Sequence, residues 1–316
     1  MIEAFYTDEF VLPLPQGHRF PMQKYRMLRD KVSEYKDLIA LKKPGPATPG
    51  QLALAHSPQY IDRVLNGLLT PAEQKAIGFP WSPAMVERSL RSVGASIEAF
   101  RSALQHGAAV NLAGGTHHAK HGEGAGFCVF NDIVVAARVV QTDAIQRMSN
   151  RRLNVLVVDL DVHQGDGTAA LCRNDPSIFT FSMHGLGNFP FIKEESDIDI
   201  ALPDGATDDA YLSQLNYGLS QSGRAFQADA LVYVAGLDAH VADRLGRLSL
   251  TDDGIRERDL LVLAHAQKLG IPVMAVMAGG YFPDLEHLTD LQCDTVLRLA
   301  ETAKFHANRD VIGTSY

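Results

Sequence analysis

Residues 155–167 read VLVVDLDVHQGDG. An unbroken Val/Leu run at 155–158 leads into Asp159, Asp161 and His163, and Asp166 follows closely. A run that is apolar at every position suits a parallel strand covered on both faces. Side chains on a strand alternate with period two. If the strand continues to residue 163, then Asp159, Asp161 and His163 share one face, and Leu160 and Val162 take the other. An uncompensated carboxylate is costly to bury, so the cluster calls for a counter-charge.

Four further apolar runs end in chemically unusual residues: AAVNLAGGTHH (108–118), SIFTFSMHG (177–185), ALVYVAGLDAH (230–240) and PVMAVMAGGY (272–281). Helix-like stretches at 84–107, 131–149 and 249–270 alternate with them, the first closing on Gly107 and the last on Gly270. Such alternation predicts a doubly wound α/β architecture with a largely parallel central sheet flanked by helices. Ligands in such sheets gather beyond the carboxyl ends of the strands. His117, His118, Asp161, His163, Asp238 and Tyr281 all fall at those ends.

The composition narrows the function classes. No linker, charge block or fixed-period repeat interrupts the 316 residues, so 1–316 reads as one domain. A net charge of −8 argues against a nucleic-acid partner and against a polybasic membrane-surface role. The first twenty residues lack the charged and apolar regions of a signal peptide, and no run of eighteen apolar residues is present. Cys128, Cys172 and Cys293 are odd in number and form no CxxC pair, which suits reduced thiols in a cytoplasm and excludes a cysteine zinc site of the finger type.

Asp161 and His163 form a D-x-H pair, and Asp238 can add a third ligand from a neighbouring strand. A lone D-x-H more often caps or ion-pairs. Its coincidence with Asp238 and a double histidine favours a metal. Three protein ligands leave one position open, the pattern of a catalytic site, and a metal there brings the pKa of its water toward ~7. In GGTHHAKHGEGAGFCVFND (114–132), Gly114 and Gly115 permit a sharp turn. His117 and His118 then need partners to fix their tautomers, and Asp159 and Asp166 are the free carboxylates available. A helical HHxxH metal site using His121 is the alternative, disfavoured by glycines at 114, 115, 122, 124 and 126. Tyr281, in AGGYF (278–282), has a phenol that can donate to a developing oxyanion.

These motifs, with LPQGHRFPMQKYRMLRD near the N-terminus and LALAHSPQYIDRVLNG (52–67), occur in the same order in the zinc-dependent histone deacetylase family. The chain resembles that family along essentially its whole length, and its bacterial branch and class IV members most. The resemblance implies a single-domain arginase/deacetylase fold whose active site lies at the strand carboxyl ends. It implies that Asp161, His163 and Asp238 hold Zn2+, with Fe2+ as the alternative ion in the cell. His118, oriented by Asp166, would be general base and acid, and His117, paired with Asp159, an electrostatic partner. Tyr281 would bind the scissile carbonyl, while Gly126, Phe127 and Phe189 would line the acyl-lysine tunnel. A structural K+ would be held by Asp159, Asp161, His163, Ser182 and Met183, and Arg19 would lie near an internal cavity beneath the metal.

The implied reaction removes acetyl, or longer fatty-acyl groups, from the ε-amine of lysine in a protein or peptide. An acetylpolyamine amidohydrolase acting on an acylated small amine is the nearer alternative. A binuclear manganese ureohydrolase needs further carboxylate ligands, where this chain has Gln164 after His163, and Ala239 and His240 after Asp238. A non-catalytic ligand-binding role sits poorly with a full set of acid–base and oxyanion residues. Asp62 and Glu73 are candidates, by region only, for an acidic residue at the tunnel rim. The oligomeric state is not legible.

Overall fold

The structure is a computed structural model; it describes residues 1–148 and 152–312, with side chains for 1–144 and 152–303. The chain opens with β1 (Ile2–Phe5), α1 (Gln23–Val32), β2 (Ile39–Lys42), α2 (Pro49–Leu52), α3 (Pro58–Leu65) and α4 (Pro71–Ile77). Then come α5 (Pro83–His106), β3 (Ala108–Asn111), α6 (Asp132–Met148), β4 (Val155–Asp159), α7 (Asp166–Cys172) and β5 (Ile178–Gly185). The remainder is β6 (Ile198–Leu202), α8 (Asp208–Ala225), β7 (Ala230–Val234), α9 (Asp252–Leu269), β8 (Val273–Val276) and α10 (Leu285–Ile312).

Among the described residues the eight strands are all parallel and lie in the order β2-β1-β3-β8-β7-β4-β5-β6. Near-continuous apolar strands follow from burial on both faces. On one face Ala109, Val157, Val232 and Val276 pack with Ile97 and Phe100 of α5 and Ile133 of α6. On the other, Val110, Leu156, Leu231 and Val273 pack with Leu28 of α1, Val262 of α9 and Leu291 of α10. Each fully buried Val, Leu, Ile or Phe among them contributes about 1.5–3 kcal/mol.

The five expected strands all form, and four stop short of their reactive residues. The register sets Asn111, Val276, Val234, Asp159 and Ser182 in one row across β3, β8, β7, β4 and β5. Beyond that row β3, β8, β7 and β4 become loop, while β5 runs on to Gly185. The pleat therefore does not carry Asp161 and His163. Asp159 Oδ1 accepts from the Asp161 amide (3.2 Å) and Asp161 Oδ1 from the His163 amide (3.0 Å), so two successive Asx turns curl the chain. Leu160 and Val162 still point away into the core.

Three strands were not expected from the sequence. β2 and β6 are the sheet edges and only partly buried, and β1 is four residues long. The helix expected at 249–270 begins later, at Asp252, because the Thr251 side chain accepts from the Gly254 amide and Leu250 bridges to His240. The helix expected over 131–149 is α6, and its last position lies outside the described residues.

α5 crosses the 44–47 segment closely, with the Ala47 amide on Leu90 O (2.9 Å) and Arg91 Nη1 on Pro44 O (2.8 Å). A Cβ at Gly94 would meet Gly45 O at 1.9 Å. Gly94→Ala is therefore expected to cost about 1–3 kcal/mol by overpacking, read as a lower Tm. An unchanged Tm would mean that the 44–47 segment yields freely. Among the described residues, no helix is long and apolar enough to cross a membrane.

Candidate active site

Central strands β3, β8, β7 and β4 deliver, in spatial order, the double histidine, Tyr281, Asp238 and the Asp161/His163 pair. After β3 the chain turns through Gly114 and Gly115, both at positive φ (75° and 76°). Asp132, at the start of α6, organises this turn. Its carboxylate accepts from the Thr116 amide (2.7 Å), Thr116 Oγ1 (2.6 Å), the Gly115 amide (3.2 Å) and Ser96 Oγ (2.5 Å). A Cβ at Gly114 would meet that carboxylate at 2.5 Å, so the turn needs glycine for space as well as for φ.

The turn buries both imidazoles, with ring centroids 4.1 Å apart. His117 Nδ1 lies 2.7 Å from Asp159 Oδ2, and His118 Nδ1 lies 2.7 Å from Asp166 Oδ1. Each carboxylate fixes the Nδ1–H tautomer of its partner, which leaves Nε2 of a neutral ring as an acceptor. The two rings differ in charge. Burial disfavours protonated His117, but Asp159 and Asp161 outweigh it and hold its pKa up at about 9. Burial and the neighbouring His117 push His118 down to about 4, against the opposing pull of Asp166. Lys120 Nζ braces the second dyad, 3.3 Å from Asp166 Oδ2 and 2.8 Å from Glu194 Oε1.

The three expected metal ligands converge. One donor atom from each of Asp161, His163 and Asp238 lies within 4.8 Å of the others. Both carboxylates are buried. Asp161 Oδ2 accepts from the Gly279 amide (2.9 Å), and Asp238 Oδ1 from the Val162 amide (2.9 Å). His163 Nδ1 points between them, 3.0 Å from Asp161 Oδ1 and 3.2 Å from Asp238 Oδ2. Burial, then repulsion from Asp161, raises the Asp238 carboxyl above its ordinary range. His163 is held up at about 10 because the two carboxylates overcome its burial. The cluster thus draws in a positive charge, and its donor set suits a divalent cation. Glycine keeps the cradle clear, since a Cβ at Gly279 would meet Asp238 Oδ2 at 1.9 Å and Asp161 Oδ2 at 2.6 Å.

The Tyr281 loop is clamped from two sides. Its amide donates to Asp243 Oδ2 (2.6 Å), and the buried Lys24 ammonium donates to Ala278 O (3.3 Å) and Gly280 O (3.2 Å). Lys24 Nζ also lies 5.4 Å from the Tyr281 ring centroid. Burial, reinforced by Asp161 and Asp238, keeps the phenol pKa well above its usual value, so it remains a donor. Arg258 of α9 holds Gly236 O, two residues before Asp238. Lys24, Asp132, Asp243 and Arg258 were not anticipated. Lys24 alone left a trace in the sequence, as a lysine in line with Leu28 and Val32 on the buried stripe of α1.

A cavity of about 560 Å³ leads from the surface to these groups. Phe127, stacked on Phe79 at 5.3 Å, and Phe189, 4.9 Å from His118 in edge contact, form its walls. Gly126 lies against His118, and at φ 54° an added Cβ would meet His118 Cδ2 at 2.6 Å. Gly126→Ala is expected to displace that ring and lower kcat/KM on the order of 10-fold with the fold intact. Activity equal to wild type would show that the imidazole tolerates the shift.

Arg19 corrects an expectation: it lines the cavity but is exposed, so it is not an internal residue beneath the cluster. The buried guanidinium on the wall is Arg88, which donates to Thr7 O and Phe10 O and lies 4.3 Å from the Tyr25 ring centroid. Asp62 and Glu73 do not line the cavity; the first accepts from Asn66 and the second pairs with Arg63. Ser182 sits opposite Asp159 in the register and bonds His184 Nδ1 (3.0 Å), with Met183 buried beside it.

His240, Asp252 and His287 also converge. However, His240 Nδ1 accepts from the Ala242 amide (3.0 Å), so a neutral His240 carries its proton on Nε2 and donates it to Asp252 Oδ1 (3.0 Å). A proton on the nitrogen that faces the cluster makes this a hydrogen-bonded group, not a metal site.

Comparison with known proteins agrees with this geometry. A family model of the histone deacetylase domain matches residues 18–295. An uncharacterised protein of Picosynechococcus is 43% identical over 285 residues, covering 90% of this chain and 93% of that one. The histone deacetylase RPD3 of Saccharomyces cerevisiae is 30% identical, covering 88% of this chain and 67% of that one. The acetoin utilization protein AcuC of Bacillus subtilis is also 30% identical, covering 84% and 73%. In fold, an HDAC homolog from Aquifex aeolicus superposes with a TM-score of 0.78 at 22% identity, over 96% of this chain and 87% of that one. The chain has the arginase/deacetylase fold and belongs to the histone deacetylase family of hydrolases.

Proposed function

We propose that this chain, acting as one catalytic unit in the cytoplasm, is a zinc-dependent amide hydrolase that removes acyl groups from the ε-amine of lysine. The observation that carries this reading is the meeting of two His–Asp dyads, a buried three-ligand cluster and a phenol at the end of one aromatic-walled cavity. The three free cysteines are all buried, in keeping with a reducing compartment. Zn2+ held by Asp161, His163 and Asp238, or Fe2+ in its place, would supply Lewis-acid polarisation of the scissile carbonyl and acidify the attacking water. K+ is proposed near Asp159, Asp161, His163, Ser182 and Met183.

The remaining work falls to the chain. His118, neutral at pH 7 and oriented by Asp166, takes the water proton on Nε2 and returns it to the departing amine. His117, held charged by Asp159, favours negative charge developing beside it. Tyr281 donates its phenol proton in a hydrogen bond to the carbonyl oxygen as that oxygen gains charge. Phe127 and Phe189 pack the lysine methylenes and exclude water. The cavity also reaches Ala113, Gly115 and Arg88, which supports acyl groups longer than acetyl.

A peptide panel carrying acetyl-, octanoyl- and myristoyl-lysine, with N-acetylputrescine, tests the reading. Lysine peptides are expected to be hydrolysed, and turnover of the polyamine alone would overturn it in favour of the acetylpolyamine reading. Chelation is expected to abolish turnover and lower Tm, with zinc restoring both. An ion bound at a hundred times its Kd adds about 2.7 kcal/mol to stability. Full activity after verified metal removal would sink the metal assignment.

A further inference from the structure

Acidic residues outnumber basic ones 37 to 29 in this chain, yet the cavity wall has the opposite balance. Among the described residues that line it, Asp161 is the one carboxylate, and it lies at the buried end. Three exposed cations, Arg19, Lys75 and Arg247, line the same cavity. Arg247 has an exposed partner in Asp204 at 3.2 Å. Neither Arg19 nor Lys75 has a carboxylate partner among the described residues. Lys75 also sits in the last turn of α4, where a cation favours the helix dipole, but that accounts for its charge and not for its place on the wall.

We infer that the preferred substrate is an acyl-lysine flanked by acidic residues, so that carboxylates beside the entering side chain meet Arg19 and Lys75. This rests on the lysine-deacylase reading above and names its substrate class. A peptide rich in lysine and arginine, or an acylated polyamine, brings positive charge to a positive entrance and is disfavoured. Exposed Phe191 gives the entrance an apolar side as well, and a cationic and apolar surface also suits an anionic membrane. Three cations spread around one cavity fit a peptide threaded into it better than a flat lipid surface.

The test compares acyl-lysine peptides flanked by Glu, by Gln or by Lys. Rates are measured on the zinc-loaded protein, and binding by fluorescence anisotropy on the Tyr281→Phe protein. The Glu-flanked peptide is expected to exceed the Lys-flanked one in kcat/KM by about 10–100-fold at low salt, a ratio that shrinks as salt is added. Arg19→Glu with Lys75→Glu is expected to flatten or invert that ratio. Arg224→Glu with Lys36→Glu, the same change of net charge at exposed positions away from the cavity lining, should leave it in place. Equal handling of the three peptides would overturn the inference, as would sedimentation with anionic vesicles without any preference among peptides. If no peptide is hydrolysed, the deacylase reading fails, while anisotropy still decides whether the entrance selects acidic chains.

Discussion

Tyr281→Phe is expected to lower kcat by about 10²–10³-fold, the usual cost of losing one donor to an oxyanion, while metal content and fold stay unchanged. The substitution removes one oxygen and keeps the ring, so its packing near Phe127 and Phe20 persists. The loop stays in place because its anchors are main-chain contacts: the residue 281 amide on Asp243, and the carbonyls of Ala278 and Gly280 on Lys24. KM should move little, since the phenol acts chiefly once the carbonyl oxygen has gained charge. Metal content is checked by elemental analysis and turnover by steady-state kinetics. A variant with near-normal kcat would remove Tyr281 from the reaction.

Asp238→Asn is expected to be more damaging, lowering activity by more than about 10³-fold through loss of the metal, whose charge stabilisation is worth several kcal/mol. The amide oxygen can still accept from the Val162 amide, so the local turn is preserved and the change is one of charge. Stability then separates two explanations. In the metal-free protein, burial and Asp161 penalise a charged Asp238, so the Asn variant should melt no lower than metal-free wild type. Added zinc should raise the Tm of wild type only. A variant that binds zinc with a full equivalent would place the third ligand elsewhere.

The sequence made the central strands legible because burial on both faces writes an unbroken apolar run, as at 155–158. It hid β2 and β6 because edge strands need no such run. The grouping of Asp159, Asp161 and His163 was foreseen, but for a cause the structure replaces: Asx turns gather them, not the pleat. Ligand and dyad residues announce themselves because few sequences put such groups at strand ends. Their supports do not. Even Lys24, whose place on the buried stripe of α1 is visible, meets Ala278 across 254 positions, and no local pattern marks that encounter. Arg19 was misplaced for a related reason, since the solvent exposure of one loop residue is a tertiary property.

The position of β8 has a consequence for how the molecule comes into being. Among the described residues it is the last strand in chain order, yet it lies between β3 and β7 in the middle of the sheet. Without it, the other strands fall into two groups that share no strand pairing, β2-β1-β3 and β7-β4-β5-β6. The first ends in the paired imidazoles and the second in Asp161, His163 and Asp238. Insertion of residues 273–276 joins the groups, and the four residues after Met277 bring the amide that holds Asp161 and the phenol. Until residues 273–281 are in place, the His117–Asp159 and His118–Asp166 bonds span the two groups with neither a shared strand nor the phenol, so the complete site forms only once β8 is inserted.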